Sequence, residues 1–390
     1  MNVLLVTIGT HGDVQPYIAL AYGLQSAGCT VVLCTHATHR NFVERYGVAF
    51  APLAGDIRAL LAGDDGRKLL TQRNPLAAVR RLHLLAAPLL RQVMLDIIEA
   101  AQGADLILAS TLAYPNAVTA GHVHHIPLML AGLQPITPTS AFPCPLLPPL
   151  SRSFPGSGAY HRLSHHAAFR LLQFTSARLV NRHRRELTGL PALRYADVFG
   201  DLIAQRTPVI YGFSEHLLPR PADYGSSVHL TGFWFLETTN GWEPSPALEA
   251  FLANGPPPVY VGFGSMSDRK PEETAQIVVE ALRRSGQRGI LAAGWQGLRV
   301  DRRHPDIHSI DHAPHAWLFP QVALTVHHAG VGTVAAALRA GVPQALVPFG
   351  ADQPLWAEMA YRRGVAPRPI PRSRLTPDNL SAAIAQALRA

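Results

Sequence analysis

Three short stretches of the 390-residue chain carry residue types suited to phosphate, sugar and proton chemistry. The first is Val326-His327-His328-Ala329-Gly330-Val331-Gly332-Thr333. Gly330 and Gly332 let the backbone approach a ligand closely. Thr333 adds a hydroxyl at the start of a predicted helix, where N–H groups and the dipole favour phosphate. His328 can donate a hydrogen bond to a phosphate oxygen, whereas His327 reads as a buried residue at a strand end. The second stretch, Phe349-Gly350-Ala351-Asp352-Gln353, sets a carboxylate beside an amide. That pair suits sugar hydroxyls, which both donate and accept. Together the two stretches read as a nucleotide-sugar site. The third, Gly9-Thr10-His11-Gly12-Asp13, places an imidazole and an acid in the first strand-to-helix loop.

Other chemistries fit poorly. The first loop is not G-x-G-x-x-G, and the second strand ends Cys34-Thr35-His36 with no acid for a ribose hydroxyl, which excludes a dinucleotide reading. No P-loop and no H-E-x-x-H occurs. Three cysteines without a CxxC exclude a disulfide scaffold or cysteine zinc site. His122-Val123-His124-His125 and His161…His166 lack matching carboxylates or cysteines, so no metal site is expected. A net charge of +8 suits anionic partners, yet no basic-aromatic RNA-binding motif is present, so nucleic acid is not expected. MNVLLVTIG lacks the basic start of a signal peptide, and no long apolar run spans a membrane. The expected compartment is the cytoplasm, with peripheral membrane attachment open.

These residues need a scaffold, and 48% hydrophobic residues against 15% charged allow large cores. Strands at Val3–Gly9, Thr30–His36, Ala49–Ala54, Asp105–Ser110 and Ile126–Gly132 alternate with helices at Pro16–Ala27, Arg40–Tyr46, Pro75–Ala101 and Pro115–His122. The long helix contains Pro88, where a kink is expected. Seven prolines between Pro135 and Pro155 then make a loop. A basic helix follows over His161–Leu187. It carries Arg162, Arg170, Arg178, Arg182, Arg184 and Arg185 against one acid, Glu186. Past a linker at Glu237–Pro258 the alternation restarts. Strands are expected at Val259–Ser265, Arg288–Gly294, Ile307–Asp311, Ala323–His328 and Gln344–Phe349. Thr376-Pro377-Asp378-Asn379 caps a last helix. The expectation is an α/β chain of two facing, Rossmann-like, doubly wound parallel-sheet domains, 1–238 and 239–390. Ligands in such sheets bind beyond the carboxyl ends of the strands, so the site is expected in the cleft between the domains.

HHAGVGT followed by LRAGVPQALVPFGADQ resembles the donor signature of family-1 glycosyltransferases of the GT-B fold. GTHGDVQPYIALAYGLQSAG resembles the opening of sterol 3β-glucosyltransferases and their bacterial relatives, and FVERYGVAFAPLAGD, LTGFWF, GPPPVYVGFGSM and APHAWLFP continue the likeness. Glycosyltransferases of glycopeptide and rhamnolipid synthesis share the plan. The resemblance implies an inverting, metal-independent transferase with a donor domain at 239–390 and an acceptor domain at 1–238. It needs no cofactor beyond an NDP-sugar co-substrate, with UDP-glucose expected. His328 would contact the α-phosphate, and Gly330, Gly332 and Thr333 would cradle the diphosphate. Asp352 and Gln353 would hold sugar hydroxyls. Thr10 and the Gly264-Ser265 turn would also touch the donor, and Trp295 and His312 would lie near the base. Asp13 occupies the general-base position.

The sequence departs from the pattern at His11, Ala329 and His312. His11 stands for an arginine, and it is also the rival base. Ala329 stands for a glycine, tolerable if its φ is negative. His312 stands for a base-stacking tryptophan. Asp13 has a second reading as a cap of the helix near Pro16. The basic helix reads either as a solvated face or as a patch for anionic membrane. Phe142, Leu146, Leu147 and Leu150 suit an apolar acceptor pocket or lid for a sterol, lipid or aglycone. Family members usually add a final helix crossing back to the first domain. Its lack after Ala390 leads us to expect looser closure and weaker donor retention. An NDP-sugar epimerase and a non-catalytic nucleotide-sugar-binding or membrane-recruiting partner are the alternative readings.

Overall fold

The computed structural model describes residues 1–56, 75–145, 156–236, 241–264, 271–292 and 304–389, with backbone alone at 75–86, 172, 175 and 176. The chain divides into two compact units, Met1–Leu236 and Glu237–Ala390. Each is built on a wholly parallel sheet among the described residues.

In the first unit the apolar run β1 (Asn2–Val6) is buried from Val3 on, as expected of a strand covered on both faces. It lies between β2 (Thr30–His36) and β4 (Leu106–Ala109). With β3 (Ala49–Leu53), β5 (Leu128–Gly132), β6 (Val209–Tyr211) and β7 (Val228–Leu230), the order is β3-β2-β1-β4-β5-β6-β7. The helices are α1 (His11–Ser26), α2 (Arg40–Arg45), α3 (Pro75–Ala100), α4 (Tyr114–His124) and α5 (Ser157–Thr188). The strands β6 and β7 had no counterpart in the sequence reading, because three residues are too few to show a period.

The first helix corrects the expectation. It begins at His11, not Pro16, which sits inside it. Thr10 is its N-cap in extended conformation, with Asp13 as the reciprocal partner three residues on.

In the second unit β8 (Val259–Gly262), β9 (Gly289–Ala292), β10 (Ile307–Ile310), β11 (Leu324–His327) and β12 (Gln344–Leu346) run in the order β10-β9-β8-β11-β12. Its helices are α6 (Pro246–Ala253), α7 (Pro271–Ser285), α8 (Val331–Ala340), α9 (Gln353–Arg362) and α10 (Pro377–Ala387). The ends of α7 complement its dipole, with Glu272 and Glu273 first and Arg283 and Arg284 last. The expected cap of α10 is present: Thr376 Oγ1 accepts from Asn379 N at 3.3 Å, and Thr376 N donates to Asn379 Oδ1 at 2.9 Å. Val278 and Leu282 of α7 and Leu380 and Ile384 of α10 pack with Val259, Val261 and Val326 of the sheet into one core. That core fixes the carboxyl ends of β8 and β11, where the chemistry-bearing loops begin. Among the described residues no helix is long and apolar enough to cross a membrane.

Candidate functional site

Each sheet reverses its winding at one point, between β1 and β4 and between β8 and β11. Loops leaving the carboxyl ends of strands at such a point form a ligand crevice. Two of the three singled-out stretches fall on these loops, after β1 and β11, and the third follows the edge strand β12.

In the first unit, the loop after β1 delivers Thr10, His11 and Asp13 to the start of α1. Thr10 N and Thr10 Oγ1 both donate to Asp13 Oδ2, at 2.8 and 3.1 Å. The carboxylate therefore acts as a cap, though of a helix that begins before Pro16. It also lies flat on Gly9, where a Cβ would stand 2.3 Å from Asp13 Oδ2 and 2.5 Å from its Cγ. Gly9 has a φ of 153°, a conformation side chains rarely adopt. Sequence reasoning missed Gly9, although a glycine ahead of the Thr10–Asp13 segment was the available signal. Beneath the loop, Thr7 Oγ1 donates to the Asp13 carbonyl at 3.1 Å. The buried Tyr17 hydroxyl donates to the Ala131 carbonyl of β5. Burial, with the Asp13 charge second, raises the Tyr17 phenol well above its ordinary range, so it stays protonated. His11 is exposed and lies against Phe42, ring centres 4.2 Å apart. His39, also unread, hydrogen-bonds the Gly9 backbone, which opposes the depression of its pKa by burial.

In the second unit two predicted glycines converge on the His328 imidazole. A Cβ at Gly264 would stand 3.0 Å from His328 Cε1, and one at Gly330 would stand 2.5 Å from His328 Nε2. The ring thus fills space that two side chains would take. Gly330 makes room for His328, rather than directly for a ligand as the sequence suggested. Gly332 faces open space. Burial pulls His328 down to about 4, with a hydrogen bond to the Gly262 backbone opposing it, so the ring is neutral near pH 7. Its Nδ1 is buried and has no hydrogen-bond partner among the described residues. His327 is structural, as expected. It is fully buried, bonds Gln344 Oε1 through Nε2 at 3.0 Å and accepts Ala329 N at Nδ1, 3.2 Å away. Burial, then the neighbouring His328, lowers it to about 3.

The expectation of a negative φ at Ala329 is overturned. Its φ is 66°, and the residue is wholly buried. The left-handed turn aims its N–H back at His327 and carries the chain into α8, whose N-cap is Gly330. Thr333 lies in the first turn of that helix, where N–H groups lack partners four residues back. The loop after β12 repeats the device, with Ala351 at a φ of 53°. Such backbone strain in two neighbouring loops is characteristic of functional sites.

Asp352 and Gln353 open α9, but both also hold their own loop. Gln353 is buried and its Oε1 accepts Phe349 N at 2.8 Å and Gly350 N at 3.2 Å. Asp352 Oδ2 accepts Trp356 Nε1 at 2.9 Å. His312 follows β10, and desolvation lowers its pKa. Ser265, Trp295, Leu146, Leu147 and Leu150 lie outside the described residues. Phe142 is buried against His165. Among the described residues no group of three histidines, cysteines or acids is arranged to hold a metal ion.

Comparison with known proteins agrees with this arrangement. Residues 3–138 match the glycosyltransferase family 28 N-terminal domain. Residues 295–390 match the erythromycin biosynthesis protein CIII-like C-terminal domain. The O-mycaminosyltylonolide 6-deoxyallosyltransferase of Streptomyces fradiae is 35% identical over 393 residues, covering 100% of this chain and 90% of that protein. The chain belongs to the GT-B glycosyltransferases. Within them it is also 35% identical to a sterol 3-beta-glucosyltransferase of Arabidopsis thaliana, over 98% of this chain and 62% of that protein. The chain thus spans about three fifths of the length of its plant sterol relatives. Among solved structures, the glycosyltransferase of kitacinnamycin aligns over 99% of this chain and 90% of its own, with TM-score 0.69 at 19% identity. The glycosyltransferase VinC, solved in complex with dTDP, aligns over 100% of this chain and 91% of its own, with TM-score 0.66 at 17% identity. Both likenesses are to the GT-B fold.

Proposed function

We propose that this GT-B glycosyltransferase moves a sugar, with inversion, from an NDP-sugar, UDP-glucose foremost, to a hydroxyl of a hydrophobic acceptor. The observation that carries the reading is the His328 ring, slotted between Gly264 and Gly330 beside the first turn of α8. A diphosphate placed there meets backbone N–H groups and the positive end of a helix, in a loop whose shape the His328 ring sets. The diphosphate gains charge as it leaves, and donors already fixed in place act where that charge develops. Thr333 adds a hydroxyl, and Asp352 with Gln353 recognises the sugar. No step needs a metal, so a chelator should leave turnover unchanged.

Asp13 is the base in this reading. Thr10 holds its Oδ2, which fixes the carboxylate in one orientation. As the acceptor oxygen bonds to the anomeric carbon opposite the leaving diphosphate, its proton passes to Asp13. The acceptor is apolar. The likeness to enzymes named for sterols and a macrolide lactone supports this. The dTDP complex of VinC makes a thymidine donor the rival to UDP-glucose.

A screen of UDP- and dTDP-sugars against sterols, lipid alcohols and aglycones, read by mass spectrometry, tests the reading. A glycoside formed only when donor and acceptor are both present is expected. Epimer or free sugar released without acceptor, or UDP binding with no product across the panel, contradicts it. By calorimetry, His328→Ala should weaken UDP binding by about tenfold, because the loop loses the ring that fills the space between Gly264 and Gly330. Unchanged affinity would remove His328 from the donor site.

A further inference from the structure

Helix α5 has two unlike faces. Inward, Phe169 is buried and stacks on Phe199, ring centres 4.9 Å apart, and with Ala168 it lines a small apolar cavity. Arg184 also turns inward. It is 2% exposed, with Nε donating to the Pro191 carbonyl at 2.8 Å and a second nitrogen 3.0 Å from His122 Nδ1. It therefore leaves the basic face predicted from sequence.

Outward, Phe174 is 85% exposed and Leu163 is 66% exposed, the two most exposed large apolar side chains among the described residues. Arg170, Arg178, Arg182 and Arg185 are exposed as well. At about 100° per residue, Leu163, Arg170, Phe174, Arg178 and Arg185 fall within roughly 80° of arc, along about 33 Å of helix. The one acid of α5, Glu186, is held by His183 at 3.2 Å and Arg182 at 3.8 Å. Arg170 lies over the Tyr195 ring at 3.9 Å, which keeps its charge near the helix.

We propose that this stripe docks α5 flat on an anionic lipid surface. Interleaved apolar and guanidinium side chains on one line match an interface where acyl chains and phosphates alternate in depth. Phe174 and Leu163 enter the apolar layer, and Arg178 and Arg185 meet lipid phosphates. The first unit is then held beside a bilayer-borne acceptor. Only that last clause rests on the glycosyl-transfer reading.

Flotation of the full chain with phosphatidylcholine vesicles, with and without phosphatidylglycerol, tests the proposal. Binding to the anionic vesicles alone is expected, weakening as salt rises. Phe174→Glu with Leu163→Glu should lower the bound fraction by roughly tenfold or more. Arg178→Gln with Arg185→Gln should lower it and flatten the salt dependence. Both pairs should keep the wild-type thermal midpoint and turnover of a water-soluble acceptor. Equal binding to neutral vesicles, no binding, or binding indifferent to both pairs overturns the proposal. So does a dimer in sedimentation that Phe174→Glu splits, because the stripe would then be covered by a second copy. Vesicle binding by a chain that glycosylates nothing would uphold the surface and sink the glycosyl-transfer reading.

Discussion

Two glycines do unlike work for two reactive side chains. Gly9 lies under Asp13 and Gly330 lies beside His328, and in each case a methyl would occupy the place of the functional group. Gly330→Ala should push the imidazole aside. UDP affinity should fall about as far as in His328→Ala, which calorimetry checks. Gly9→Ala adds a backbone penalty, because its φ of 153° suits glycine. A loss of about 1–2 kcal/mol in denaturant unfolding is expected, with turnover falling further than stability explains. Which neighbour each glycine served was not legible in the sequence. GxGT predicts close approach, but not whether a ligand or a histidine approaches.

At the scale of elements, the start of α1 and the turn into α8 decide the site. Pro16 looked like a first helical residue, yet Thr10 and Asp13 start the helix earlier by capping each other. The competing signal was local and legible, a Thr with an acid three residues on. Thr10→Ala should cost about 1 kcal/mol of stability, as cap removals do. Turnover should drop beyond that, since Oδ2 loses a donor. The left-handed Ala329 was not legible, since alanine seldom adopts that conformation. Ala329→Gly relieves the strain but removes a buried methyl and loosens the unfolded chain, so a net change under about 1 kcal/mol is expected. Ala329→Val should cost roughly 2 kcal/mol or more, since a branched side chain tolerates neither the positive φ nor the closed space. Denaturant melts of both variants check this pair. The parallel strands were legible because they are continuous apolar runs. The burial of Arg184 was not, because a run of arginines carries no mark of which one turns inward.

At the scale of the molecule, His165 in the first unit and His327 and His328 in the second are buried. Burial pulls them down to about 4, about 3 and about 4. Between those values and the unfolded value near 6.5, the unfolded chain binds more protons than the folded one. Stability should therefore hold above about pH 6.5 and fall as pH drops toward 4. Thermal midpoints from pH 7.5 to 4 check this, and His165→Gln should flatten the dependence of the first unit. A midpoint that rises on acidification would mean that these rings are charged in the fold.

Asp13 is the proposed base of the transfer. The most direct test is Asp13→Asn, followed by UDP calorimetry and by turnover of the donor–acceptor pair the screen identifies. The account predicts unchanged UDP affinity and a fall in kcat of about 10²–10⁴, the usual contribution of a general base, while His11→Ala keeps most of its turnover. Retained turnover in Asp13→Asn, with loss in His11→Ala alone, would contradict the account and move the base to His11.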